Sequence, residues 1–159
     1  MANAPPPFIP GAFVGAAHHY RARVYFEDTD LSGIVYHANY LRYMERARSD
    51  MLRIAGIDQR AAMDAGDGSW AVTDLTIKYR RPAKLDDDLL VVSTVGAVRG
   101  ASVIIAQRIL RGTDTLSGET LTDGQVTAAF LSPEGRPRRQ PAGWADRFTA
   151  IMNGEKIPC

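Results

Sequence analysis

From Ala38 to Ala55, apolar side chains recur at three- and four-residue spacing: Tyr40, Tyr43, Met44, Ala47, Met51 and Ile54. Arg42, Glu45, Arg46, Arg48 and Asp50 fall between them, so the spacing predicts one long amphipathic helix, ended by Gly56. Ahead of it, "HHYRARVYFED" is rich in Tyr, Val and Phe and alternates, which predicts a strand that stops at an acidic turn. After it, "DQRAAMDAG" reads as a short turn or helix. Strand patterns then dominate: "WAVTDLTIKYRRP", "DLLVVSTVGAVRG", "ASVIIAQRILRG" and a last apolar run from Gln125 to Leu131. In the first of these, Ala71, Thr73, Leu75, Ile77 and Tyr79 are expected on one face, with Asp74, Lys78 and Arg80 on the other. Such a sheet is packed on one side only.

One central helix followed by antiparallel strands, with glycine turns such as "VRGAS" and "RGTDT", predicts an α+β domain whose sheet wraps the helix. "PAGWADRFTAIM" predicts a short final helix. Four prolines in the first ten residues mark residues 1–16 as a flexible arm or strap. The expected division is this arm, a domain over residues 17–152, and a tail over 153–159.

Composition narrows the function classes. The 159 residues fit a single domain able to bury a core, and 45% are hydrophobic. A net charge of +1 provides no overall field for nucleic acid or an acidic membrane surface. The single cysteine, Cys159, excludes a disulfide framework and cysteine-based metal motifs. The opening residues lack the basic region and apolar run of a signal peptide, and no apolar run is long enough to span a membrane. A cytoplasmic protein is expected.

The chemistry concentrates in "EDTDLSGIVYHANY", residues 27–40. Asp28, Asp30, Ser32 and Gly33 match the first, third, fifth and sixth places of a calcium loop, but Asn39 at the twelfth cannot supply the bidentate carboxylate. No metal is expected there. Two readings stay open: a solvated acidic turn leading into the helix, or a carboxylate, Asp30, held beside a helix N-terminus near His37. Unpaired backbone N–H groups at such a terminus polarise a carbonyl, and "SGIVY", with Gly33 and Val35, could wall the site from water. Competing systems find no support, since no G-x-S-x-G elbow, H-E-x-x-H helix or Walker-type loop is present. His18 and His19 are read as packing or surface residues.

The run "EDTDLSGIVYHANYLRYMERAR" resembles the signature of the YbgC branch of the 4-hydroxybenzoyl-CoA thioesterase family. The similarity continues through "YRRPAKLDDDL", "VRGAS", "QRI" and "GRPRRQP", covering about residues 20 to 141. The resemblance implies the α+β hotdog fold, an antiparallel sheet wrapped around one long helix. It implies acyl-CoA thioester hydrolysis with Asp30 as nucleophile or general base and the His37 backbone N–H polarising the carbonyl, with Asp28 in support. Coenzyme A is then part of the substrate, and no separate cofactor is expected. Tyr36, Asn39, Tyr40 and Glu45 follow as secondary candidates, with Asn39 expected to cap the helix and the tyrosines to line the acyl pocket or pack. Arg80, Arg81, Lys84 and Arg99 are candidates for the coenzyme A phosphates. The resemblance further implies a homodimer or homotetramer with its sites at subunit interfaces. Competing readings are another hotdog activity, such as a hydroxyacyl dehydratase, and a partner of acyl carrier protein or the Tol-Pal system with weak turnover.

Overall fold

The computed structural model describes residues 11–115 and 117–159. The long helix, α1, spans Asn39–Ile54, and its buried face carries Tyr40, Tyr43, Met44, Ala47, Met51 and Leu52. Ile54, expected on that face, is 38% exposed, and Leu52 takes the place instead. Ala55 closes the helix, and Gly56 follows at φ 75°, a left-handed conformation that favours glycine. The short helix α2 spans Gln59–Asp64, with the Asp58 carboxylate accepting from the Ala61 N–H at its start.

Six antiparallel strands wrap α1: β1 (Ala12–Val14), β2 (Ala17–Arg23), β3 (Ser69–Tyr79), β4 (Asp88–Val98), β5 (Ser102–Arg111) and β6 (Glu119–Leu131). Their order is β1-β2-β4-β5-β6-β3, so β1 and β3 form the edges. This is the expected α+β hotdog arrangement. Residues 1–10 of the proposed arm lie outside the described residues; of the rest, Ala12–Val14 form a strand paired to β2. The first predicted strand is also shorter than expected, because Phe26–Asp28 coil into a 3-10 turn.

The inward face of β3 differs from the simple alternation. Val72 pairs with Ala128 and Asp74 with Thr127, leaving Thr73 as an extra residue. A bulge of this kind reverses the phase of the pleat. Trp70 before it, and Leu75 and Ile77 after it, therefore pack on the core, while Ala71 and Thr73 leave the face they were assigned.

Two parts of the core lie along α1, and a third cluster, Leu90, Val92 and Leu110, is buried on the opposite face of β4 and β5, so the sheet is not packed on one side only. Near the start of α1, Tyr43, Met44 and Ala47 pack against Leu89, Val91, Ile109 and Val126. Near its end, Met51 and Leu52 meet Val103, Ile105, Phe130 and a final helix, α3 (Trp144–Asn153), as the terminal pattern predicts. Trp70 stacks on Trp144 at 6.1 Å, and Arg147 donates to the Ala55 carbonyl at 2.8 Å, so α3 closes one end of the domain.

Polar groups also cross the helix–sheet layer. His18 Nε2 lies 2.7 Å from the Asp50 carboxylate, which also accepts from the Gly11 N–H at 3.0 Å. His18 is thus a packing residue, whereas Asp50, read as part of the polar helix face, is buried. Gln107, fully buried, donates to Ser93 Oγ and the Met44 carbonyl and accepts from Arg48 at 2.8 Å.

Candidate active site at the start of the central helix

Residues 29–35 form a tight hairpin because Thr29 bridges Val35, and the Asp30 N–H donates to the Ile34 carbonyl at 2.9 Å. Gly33 makes the turn at φ 78° and donates to the Asp30 carbonyl, a conformation that most side chains disfavour. At the tip, Ser32 donates to Asp30 Oδ1 through both its N–H, at 2.8 Å, and its hydroxyl. These two hydrogen bonds, with help from the Ile34 peptide and the nearby His37, hold the Asp30 carboxyl below the ordinary carboxylate range. Asp30 is therefore ionised at neutral pH, exposed, and left with its other oxygen, Oδ2, for chemistry.

The hairpin is tied to the helix through Asp28. Its carbonyl accepts from the Tyr36 N–H and from Asn39 Nδ2, both at 2.9 Å, and its carboxylate accepts from the Tyr25 N–H at 2.8 Å. Asn39 thus does not cap α1: Ala38 holds the cap position, without a side-chain hydrogen bond, while Asn39 anchors the helix start to the loop. Tyr43 buries its hydroxyl nearby, next to the Asp28 carboxylate. Burial, then the proximity of Asp28, pushes its pKa well up.

The His37 N–H has no acceptor among the described residues. The carbonyl of the same residue accepts from the Tyr79 hydroxyl at 2.8 Å, which fixes the peptide that opens α1. The His37 ring lies against Tyr36, with centroids 4.5 Å apart, and meets the Tyr79 ring edge-on. The hairpin that carries Asp30 thus leads within a few residues into the donor-bearing start of α1, and His37 is close enough for its charge to act on the Asp30 carboxyl.

Other candidates fall in different places. Val35 is 2% exposed and packs beneath the hairpin, its N–H donating to the Ala83 carbonyl at 2.9 Å. Tyr40 is also buried, its hydroxyl accepting from the Ala83 N–H at 2.9 Å, so it packs rather than lining an open pocket. Arg111 holds the same segment, bonding Asp87, Glu119 and the Pro82 carbonyl. Arg80 pairs with Asp123 at 3.5 Å and Arg81 with Glu119 at 2.8 Å, both exposed, while Lys84 lies opposite Ile34 of the hairpin. Arg99 does not join them. It follows the far end of β4, whose eleven residues span about 35 Å, so within one subunit it stands well away from Asp30. Tyr79 and Ser32 were not singled out as site residues. The Asp-x-Ser spacing, which favours a local side-chain turn, was a usable signal for Ser32.

A model of the thioesterase superfamily matches residues 32–117, more than half of the chain. The chain belongs to the thioesterase superfamily. Its similarity extends beyond that segment: it is 38% identical to the acyl-CoA thioesterase YbgC of Haemophilus influenzae over 122 residues, covering 77% of this chain and 90% of that protein. It is 39% identical to the acyl-CoA thioester hydrolase YbgC of Escherichia coli O157:H7, covering 79% and 91%. Among solved structures, a probable thioesterase from Bartonella henselae superposes with a TM-score of 0.71 at 36% identity, covering 79% of this thioesterase chain and 99% of that one. The 1,4-dihydroxy-2-naphthoyl-CoA thioesterase from Synechocystis shares the fold at 21% identity, with a TM-score of 0.73 over 86% and 95%.

Proposed function

We propose that this protein is an acyl-CoA thioesterase that hydrolyses the thioester to a carboxylic acid and coenzyme A, with Asp30 as its reacting carboxylate. The single observation that supports the residue choice is the ionised, half-engaged Asp30 on the hairpin that leads into α1, where the His37 N–H has no acceptor among the described residues. The relatives at 38–39% identity that carry acyl-CoA thioesterase names support the substrate class.

The His37 N–H receives the thioester carbonyl and stabilises the charge that develops on its oxygen. Asp30 Oδ2 then either attacks the acyl carbon, giving a mixed anhydride that water opens, or takes a proton from the attacking water. In both routes the C–S bond breaks, and the coenzyme A thiolate leaves and is protonated. Lys84, Arg80 and Arg81 stand at the same end of the domain and serve the coenzyme A phosphates, with Arg80 and Arg81 exchanging their carboxylate partners for the ligand.

In this reading the protein works as a homodimer or homotetramer. Two features support it: among the described residues β3 is an unpaired edge eleven residues long, and Phe26, Tyr25 and Leu31 beside the site are 82%, 62% and 109% exposed. Assembly also gives Arg99 a route to a neighbouring subunit's site. The cytoplasm is the proposed compartment; among the described residues no helix is long and apolar enough to cross a membrane. Acyl carrier protein remains the alternative carrier, and an association with the Tol-Pal system the alternative task.

Thiol release from short, long and aromatic acyl-CoAs tests the reading. Turnover on at least one of them is expected, and its absence across the panel, with acyl carrier protein thioesters turned over instead, would move the substrate class to the carrier protein.

A further inference from the structure

The sheet carries an apolar patch on the face turned away from α1. Leu90, Val92 and Leu110 form it, with Ala17 packed against them. Directly paired residues share a face, and the register sets Arg21 opposite Leu90 and His19 opposite Val92, so two side chains of β2 border the patch. It is remote from the edge proposed for a second copy, since β4, β5 and β6 lie between β2 and β3.

A groove runs along β2 beside the patch. Its first part is a hollow of about 390 Å³ lined by Gly11, Ala12, His19, Arg21, Leu90 and Thr113. A second hollow of about 380 Å³ continues from the shared Arg21 and Thr113 to Ala22, Arg23 and Asp88. Each volume is many times the ~30 Å³ share of one water, so the groove has room for side chains.

Gly11 stands at the head of this groove and is clamped there. Its N–H donates to the Asp50 carboxylate at 3.0 Å, and a Cβ at this position would lie 2.5 Å from the His19 carbonyl oxygen. The ten residues joined to it read "MANAPPPFIP", and none carries an ionisable side chain. Phe8 and Ile9 precede Gly11 by three and two positions, which places both within about 10 Å of chain from the groove. A segment tethered this closely meets the groove at an effective concentration on the order of millimolar, and it avoids the loss of overall freedom that binding imposes on a separate partner. Its four prolines favour an extended chain, so docking has less freedom left to remove.

We propose that residues 5–10 form a strap that docks in this groove, with Phe8 and Ile9 seated against the patch of Leu90, Val92 and Leu110. The apolar side chains of strap and patch then shield one another from water, and the outer face of β2 and β4 is closed to other chains.

The test uses the full chain with a nitroxide on Ala4→Cys and with Cys159→Ser removing the natural thiol, and it reads the methyl signals of the folded protein. Leu90, Val92 and Leu110 are expected to lose their signals to the nearby radical, while Val72 and Leu75 on β3 keep theirs. Adding Phe8→Asp and Ile9→Asp, which both precede β1, is expected to restore the lost signals. Full signals at Leu90 and Leu110 with the natural Phe8 and Ile9 overturn the proposal and leave the groove to a separate partner. Losses spread evenly over both faces of the sheet, or unchanged by Phe8→Asp with Ile9→Asp, overturn it as well. Losses that vanish on dilution together with a fall in sedimentation coefficient assign the groove to a second copy and also overturn it. Thioester turnover is not the readout, so each outcome stands apart from the reading of Asp30.

Discussion

The Tyr79 hydroxyl donates to the His37 carbonyl at 2.8 Å, linking the end of an edge strand to the first peptide of the central helix. The N–H of the same residue has no acceptor among the described residues. Tyr79 therefore acts as a positioning residue for the proposed carbonyl-binding donor. Tyr79→Phe removes one hydrogen bond and keeps the ring, so kcat should fall by about two- to tenfold with KM little changed. Steady-state kinetics beside a thermal melt check this, and an equal loss in KM alone would assign Tyr79 to substrate binding.

Ser32 sets the charge of Asp30. With both its hydrogen bonds present, Asp30 has a pKa below the usual value, so the carboxylate stays ionised until unusually low pH. Ser32→Ala removes the hydroxyl and should raise that pKa toward the ordinary range. The acid limb of the kcat/KM profile should then shift to higher pH. An unmoved limb would detach Asp30 from the pH dependence.

His18 gives folding stability its own pH dependence. Burial, the largest influence, lowers its pKa despite the hydrogen bond and charge of Asp50, so the folded state favours the neutral ring. The unfolded chain then binds more protons as pH falls through about 6.5, and stability is lost on the acid side. The melting temperature of the natural protein should drop more steeply between about pH 7 and pH 5 than that of His18→Gln. Parallel curves would show that His18 is not the titrating group.

The central helix was legible because its three- and four-residue spacing reflects one buried face, and Gly56 marks its end. The phase change in β3 was not, because an inserted Thr73 is defined only against the register of β6. The Asp50 pairing was hidden for a similar reason: its partner, His18, lies 32 residues away, and a carboxylate among helix charges reads as solvated. In the site, Asp30 and Gly33 were legible from one local motif, whereas the contact of Tyr79 with His37 spans 42 residues. Arg99 shows the converse limit, since a strand's length separates it from Lys84 despite their closeness in sequence.

Packing between α1 and the sheet supplies a stability prediction. A Cβ at Gly124 would lie 2.9 Å from the Thr76 carbonyl oxygen and 3.2 Å from the Met44 side-chain terminus. The backbone oxygen has little room to yield, so Gly124→Ala should destabilise the fold by roughly 1–3 kcal/mol. Chemical denaturation measures it, and an unchanged midpoint would mean that β6 shifts freely against β3.

The central claim is most directly tested by thiol release from an acyl-CoA hydrolysed by the natural protein, measured in parallel for Asp30→Asn. The substitution keeps the shape of the side chain and replaces the ionised oxygen. Hydrolysis is expected to fall by about 10²-fold or more, with the melting temperature and oligomeric state preserved. Full activity in Asp30→Asn would contradict the assignment of Asp30 as the reacting carboxylate.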